Sequence, residues 1–417
     1  MSFLRKRKNH DLDDDESDDM ISGNGNAASN RTKSRKPPNT AFRQQRLKAW
    51  QPILTPKTVI PLFFILACIF APLGIAIIHS TYNVQTLQVD YSKCGSLKSK
   101  NYESIPSKYT SFHFKNKNTN PDYKWRVVNG TDDFDDLKQT CQIQFTLPVD
   151  LKPPIYLYYK LNNFFQNHRK YVSSYDLEQL KGIAVTKADL ENDCSPVKER
   201  DDKIIYPCGL IANSFFNDTF ESPVLLNAKS GSNNETYELS EKGISWGSDL
   251  KHKYKKTNYK ASDIVPPPNW YKMFPDGYND SNLPDLHKWE HLQNWMRTAG
   301  LPTFYKLYGK NTTSTMSSGT YEISIGMNYP VSIFGGTKTL VITTNSVFGG
   351  RNLSLGVIYI IVAIVSLVLG VAFLLQHLIK PRRIGDHNYL QGSAVDSGFR
   401  DGPRQANDPI STFRDQL

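Results

Sequence analysis

Two long apolar runs constrain this chain more than any other feature. "VIPLFFILACIFAPLGIAIIH" (Val59–His79) and "LGVIYIIVAIVSLVLGVAFLLQHLI" (Leu355–Ile379) contain no Asp, Glu, Lys or Arg. At about 1.5 Å per helical residue, each is long enough to cross a hydrocarbon core of roughly 30 Å. Buried core helices seldom stay uncharged over such lengths. The first run begins far from the N-terminus and is followed by no small-residue cleavage site, so a cleaved signal is not expected. The expectation is two permanent transmembrane helices.

Flanking charge sets the orientation. Arg43, Arg46, Lys48 and Lys57 precede the first run, and Lys380, Arg382 and Arg383 follow the second. The inner flanks carry fewer cations, so the positive-inside rule puts both termini in the cytosol. The expected organisation is a disordered cytosolic tail (1–39), a basic juxtamembrane segment (40–57), a first span (58–79), a lumenal domain (80–354), a second span (355–379) and a cytosolic tail (380–417). Six Asn-x-Ser/Thr sequons fall in the lumenal part, at Asn129, Asn217, Asn234, Asn279, Asn311 and Asn352. Six such acceptors in one loop suit a glycosylated ectodomain. Asn352 lies so near the second run that it can escape modification.

Compartment then decides the cysteine chemistry. Cys68 lies within the first run, whereas Cys94, Cys141, Cys194 and Cys208 all lie in the loop. Four cysteines in an oxidising compartment are expected to pair. Three connectivities are open. Pairing between sequence neighbours, Cys94–Cys141 and Cys194–Cys208, is favoured, and the second closes a loop worth about 3 kcal/mol in the chain-entropy model. No CxxC pair occurs, and His113, His168, His252, His287 and His291 show no metal-ligand spacing to the cysteines.

Between the spans the pattern is mostly that of strands. "CQIQFTLPV" alternates Ile143, Phe145 and Leu147, and "IYLYYKL", "YEISIGMNYPV" and "TLVITTNSV" are β-branched and aromatic. One helix is expected in "PDLHKWEHLQNWMRTAGLP". Asp285 would cap it, Leu286, Trp289, Leu292, Trp295 and Met296 would form its apolar stripe, and Gly300 and Pro302 would end it. "YYKLNNFFQNHRKYVSS" has room for another helical turn. The fold class expected is a membrane protein with two helices and a large, mainly antiparallel β-sandwich ectodomain carrying helical and loop insertions.

On the cytosolic side, "NTAFRQQRLKAWQPILTPK" reads as a short basic helix started by Asn39 or Thr40. Phe42 and Trp50 are its aromatic anchors, with Arg43 and Arg46 among its cations, a set suited to a leaflet surface or a partner's cytosolic edge. Pro72 is expected to kink the first span near Cys68. Small residues recur in both spans, at Ala67, Ala71 and Gly74 and at Ala363, Ser366 and Gly370. They allow close backbone approach, either between the two helices or onto a partner.

Catalytic patterns are missing. "FGGTKT" (Phe334–Thr339) lacks the GxxxxGK[ST] spacing, and neither HExxH nor Asp-Lys-Thr-Gly occurs, so the chain is not itself a P-type pump. "TDDFDD" (Thr131–Asp136) lacks the glycine and closing Glu of a calcium loop. The net charge of +10 is spread over different compartments and does not point to nucleic acid.

These features describe an accessory subunit or a receptor. The chain resembles the cell-division-control-protein-fifty family, also called the ligand-effect-modulator family. The likeness rests on "FRQQRLKAWQPILTP", "NFFQNHRKYVSS", "IIYPCGLIANSFFNDTF", "DIVPPPNW", "WMRTAGLPTFYKLYGKN" and "NYPVSIFGGTKTLVITTNSVFGGRNLSLGVIYI". It runs from Pro37 to about Tyr389, and the two cysteine pairs match the fungal pattern. The resemblance implies a non-catalytic β subunit of a type IV P-type ATPase that flips aminophospholipids, with no cofactor and no metal. It also implies a chaperone role, delivering the pump from the endoplasmic reticulum towards Golgi and endosomes, with the plasma membrane as the alternative destination. The competing readings are a free-standing receptor and a lumenal enzyme anchored by two helices.

Overall fold

The computed structural model describes residues 39–47, 54–97, 100–115, 121–129, 139–190, 194–226 and 234–381, with the side chain of Asn129 excepted. The N-terminal tail before Asn39, Trp50, the acidic "TDDFDD" segment and the C-terminal tail from 382 onward lie outside these residues.

Two helices carry the apolar runs, Pro56–Tyr82 with 27 residues and Ser354–Ile379 with 26. Both exceed the roughly 20 residues that a bilayer core requires, and only about a fifth of each apolar window is covered by the rest of the chain, 22% and 17%. The first helix continues through Pro61 and Pro72.

The domain between the helices is built on two large antiparallel sheets, with a small three-stranded sheet in the insertions, where Ile264–Val265 runs parallel to Lys203–Ile205. The first has five strands, ordered Phe304–Asn311, Ile155–Asn162, Thr337–Thr344, Thr86–Asp90 and Thr110–His113. The second is centred on Gly319–Met327 and Gln139–Leu147, with Tyr123–Asn129 beyond. Alternation fixes which face turns inward. In Gln139–Leu147 the row Cys141, Ile143, Phe145 and Leu147 is buried, while Gln142, Gln144 and Thr146 are only partly so. Register then sets Ile323 against Ile143 and Tyr321 against Phe145, whose rings stack at 5.8 Å. Leu87, Val89, Leu157, Leu340 and Ile342 form the matching row of the first sheet, and one contiguous core holds both rows. Each such side chain contributes about 1.5–3 kcal/mol by leaving water.

The connection from Asn162 to Phe304 carries most of the insertions. Short helices at Arg169–Val172, Leu177–Leu180, Leu210–Asn213, Gly247–His252 and Glu290–Met296 line it. The helix expected from Asp285 starts later, at Glu290. The Asp285 side chain instead accepts from the His287 backbone N–H at 3.1 Å, closing a separate turn. The stripe keeps its role: Leu286, Leu292 and Trp295 are 0% exposed.

Asn39–Leu47 is a separate unit and makes a turn, not the expected basic helix. Thr40 Oγ1 accepts from Arg43 N at 3.3 Å, as a cap would. Gln44 N donates to Thr40 O at 2.9 Å, but Gln45 then takes φ 55° and the helical path ends. So short a segment makes too few helical hydrogen bonds to offset the cost of nucleation.

Candidate partner interface

The paired spans are the first part of the site. Gly74 and Gly356 lie against each other. A Cβ on Gly74 would stand 3.1 Å from the Gly356 carbonyl oxygen, and one on Gly356 would stand 2.6 Å from Ile78 Cγ1. The buried positions recur every seventh residue, at Ile60, Ala67, Gly74 and Thr81 in one helix (with Ile77 beside them) and at Gly356, Ala363 and Gly370 in the other. Seven residues are nearly two turns, so each row stays on one face and the backbones approach closely. Phe70 and Tyr359 stack at 5.3 Å, and Phe63 meets Phe373 at 5.8 Å. Of the two roles the small residues allowed, Ala363, Ser366 and Gly370 take the pairing of the helices with each other: they are covered by the chain itself. The outward faces are branched aliphatics such as Ile65, Ile69, Ile361 and Val365.

The second part is the stretch Tyr206–Phe220, which is the hub of the inserted region. Cys208 is bonded to Cys194, and Cys94 to Cys141. The latter bond ties the turn after Thr86–Asp90, in the first sheet, to Gln139–Leu147 in the second. Gly209 has φ 98°, and a Cβ there would fall 2.1 Å from the Ser174 carbonyl oxygen, so glycine is required. The next helical turn ends among tryptophans. Trp295 Nε1 donates to Ile211 O and Trp270 Nε1 to Ala212 O, both at 2.8 Å. Both indole N–H groups are thereby satisfied inside the core by carbonyls of this four-residue helix.

Asp218 completes the hub. It is 2% exposed and accepts from Lys338 Nζ at 2.7 Å, Tyr91 Oη at 3.0 Å, Asn328 N at 2.5 Å and Tyr329 N at 2.6 Å. Lys338 and Tyr91 come from the first sheet or its margin, and Asn328 and Tyr329 follow the last strand of the second. One carboxylate therefore joins the two layers and the hub. Burial, with Asp218 beside it, pushes the Tyr91 hydroxyl well above its usual pKa. Lys306 is a second inward cation. Its Nζ donates to the carbonyl oxygens of Asn294 at 2.8 Å, Trp295 at 3.4 Å and Arg297, at the end of Glu290–Met296. Burial, with Arg297 nearby, lowers its pKa to about 7.

The sequon asparagines are scattered over the domain. Asn234, Asn279 and Asn352 are exposed, whereas Asn217 and Asn311 are partly buried. Asn311 Nδ2 donates to Glu238 O at 2.8 Å. Asn217 lies between the hub and an open hollow of about 630 Å³ lined by Tyr271 and Lys272. Asn352 Oδ1 accepts from Ser354 N, at the start of the second span. In the N-terminal unit Phe42 is 76% exposed and Arg46 donates to Asn39 Oδ1. Among the described residues no three His, Cys, Asp or Glu side chains gather in a metal-ligating group.

Two buried lysines escaped the reading of the sequence, although the alternation marked them. Lys338 is in phase with Leu340 and Ile342, and Lys306 with Phe304. A lysine in a core row implies a buried acceptor, but the acceptor lies in a different segment of the chain.

Comparison with known proteins fits this architecture. Residues 77–383 match the LEM3 (ligand-effect modulator 3) family / CDC50 family. The chain belongs to the CDC50/LEM3 family. It is 50% identical over 372 residues to the phospholipid-transporting ATPase accessory subunit CRF1 of Saccharomyces cerevisiae, covering 89% of this chain and 92% of that protein. It is 43% identical to the accessory subunit CDC50 of Chaetomium thermophilum, covering 88% and 94%. Cell cycle control protein 50A of Mus musculus is 36% identical, covering 86% and 93%. This CDC50/LEM3 member is thus an integral membrane protein with two spans and a β-sandwich domain between them.

Proposed function

We propose that this chain is the non-catalytic accessory subunit of a type IV P-type ATPase, forming a heterodimer that moves aminophospholipids to the cytosolic leaflet. The observation that carries this reading is its likeness, over nearly the full length, to proteins named as phospholipid-transporting ATPase accessory subunits. Both termini face the cytosol, and the sandwich caps the pump from the other side. Glycans are carried at Asn129, Asn217, Asn234, Asn279 and Asn311, with Asn352 left bare beside the bilayer. The outward aliphatic faces of the paired spans meet the pump or lipid, and Phe42, Arg43, Arg46 and Trp50 follow the pump's cytosolic edge. A subunit that binds only the folded pump holds it folded by mass action, which accounts for delivery from the endoplasmic reticulum to Golgi and endosomes. Pull-down of the tagged full chain from membranes is expected to recover the ATPase, and its deletion is expected to disturb lipid asymmetry. A chain that purifies alone, with asymmetry unchanged by deletion, would overturn the reading.

A further inference from the structure

The segment between the last strand and the second span builds a hollow at the height of the membrane surface. Thr344 ends the strand and Ser354 begins the helix. At about 1.5 Å per residue that helix is about 39 Å long, enough to cross a hydrocarbon core of roughly 30 Å, so the residues just ahead of its first turns lie in the headgroup layer. The hollow lies just before them and has a volume of about 600 Å³. Its floor is the outer face of the first sheet, with Gln88 and Tyr158, and its rim carries Tyr305, Asn345, Arg351 and Asn352. No carboxylate lines it. Arg351 is exposed, and among the described residues no acid pairs with it.

Beside the hollow a tight turn points apolar side chains outward. Ser346 N and Gly349 O bond at 2.9 Å, Gly349 N and Ser346 O at 3.0 Å, and Gly349 holds φ 100°. Val347 at the tip is 95% exposed and Phe348 52%, and Phe348 also lines the hollow. An aromatic and an aliphatic side chain next to a span end, with a cation behind them, match the apolar-to-polar gradient at a bilayer surface.

We propose that this hollow binds the phosphodiester headgroup of a phospholipid in the leaflet adjoining the sandwich domain. Arg351 pairs with the phosphate, the Asn and Tyr groups bond the rest of the headgroup, and Val347 and Phe348 enter the acyl boundary. A guanidinium forks onto phosphate oxygens better than a lysine does, and the absence of acid in the lining favours an anion. The inference rests on the helices crossing a bilayer and not on which pump is bound, so its failure would leave recovery of the ATPase untouched.

The test uses the full chain with its co-purifying ATPase in phosphatidylcholine vesicles containing phosphatidylglycerol with a photoactivatable group near the headgroup. Adducts are expected on the peptide spanning residues 341–352, and Arg351→Gln is expected to lower their yield about tenfold, the scale of losing one charge-assisted contact. Arg351→Lys should restore part of it. Soluble glycerol phosphate at millimolar concentration should not compete; if it abolishes the adducts, the site takes a free phosphate and the lipid assignment fails. Phe348→Trp should give fluorescence that shallow brominated lipids quench more than deep ones. No quenching, adducts unchanged in Arg351→Gln, or cross-linking of the Val347 turn to the ATPase in place of lipid would each overturn the proposal.

Discussion

Replacing Asp218 with Asn probes the junction on which the domain depends. The substitution keeps size and shape and removes the charge. It also preserves the sequon at Asn217, since the middle position is free. Asp218 receives four donors, from Lys338, Tyr91, Asn328 and Tyr329, and its side chain is 0% exposed. An asparagine offers one oxygen, and its NH₂ would be turned towards donors. Lys338, only 5% exposed, would retain the Tyr329 carbonyl at 2.9 Å but no counter-charge. Breaking a buried pair from one side costs about 3–5 kcal/mol, because the remaining charge is left uncompensated. For a domain of this size, about 2–4 °C of Tm corresponds to each kcal/mol, so a drop of roughly 6–20 °C is expected. Tryptophan fluorescence of the full chain in detergent follows it, since Trp270 and Trp295 bond the same hub. The paired variant Asp218→Asn with Lys338→Met should recover part of the loss, because no charge then stays buried. A single variant within about 1 kcal/mol of the parent would refute the account. So would a double variant that loses the sum of the two single effects.

Cys208→Ser should destabilise the domain by about 2–5 kcal/mol, and unchanged non-reducing gel mobility would show that the bond to Cys194 does not form. Gly356→Leu should separate the spans, since a Cβ would already meet Ile78 at 2.6 Å; cross-linking between cysteines placed on the two helices should fall, and unaltered yield would contradict the packing. Lys306 sets a pH dependence. Its folded pKa is lowered from 10.5 to about 7, so between these values the unfolded chain holds a proton that the folded chain lacks, and stability rises with pH. Below about 7 the penalty is fully present, and Lys306→Met should reduce the slope in denaturant titrations between pH 7 and 9. Above about pH 10 the sign reverses: unfolded tyrosines ionise while Tyr91 and Tyr159, their pKa values raised by burial, stay protonated.

What could be read from the sequence was whatever repeats at short range. Alternation in "CQIQFTLPV" placed Ile143, Phe145 and Leu147 inward because a strand has only two faces, and charge-free length revealed the spans. Asp285 signals a helix start that comes only at Glu290, because an Asx turn and a helix cap share one local signal, a side-chain oxygen accepting a nearby N–H. In Asn39–Leu47 the Thr40 cap is present, yet the path turns at Gln45, because a cap alone does not offset the cost of nucleating so short a helix. The small residues could be seen in both spans, yet choosing between mutual packing and a partner needed the facing pair Gly74 and Gly356. The hub was least legible. "YPCGLIANSFFNDTF" advertises a cysteine, but the residue joining the layers is Asp218, and its partners Tyr91 and Lys338 come from near opposite ends of the domain. The disulfide from Cys94 to Cys141 and the Asp218 cluster are two long-range ties that join the first sheet to the second. The same first sheet leads into both membrane helices, through Thr86–Asp90 and Thr337–Thr344. A load applied at the spans therefore reaches the second sheet through Asp218 and Cys94–Cys141 as well as through the shared core. Weakening either tie should loosen the cap before it loosens the helix pair, and hydrogen exchange should show Gly319–Met327 losing protection while Thr337–Thr344 keeps it.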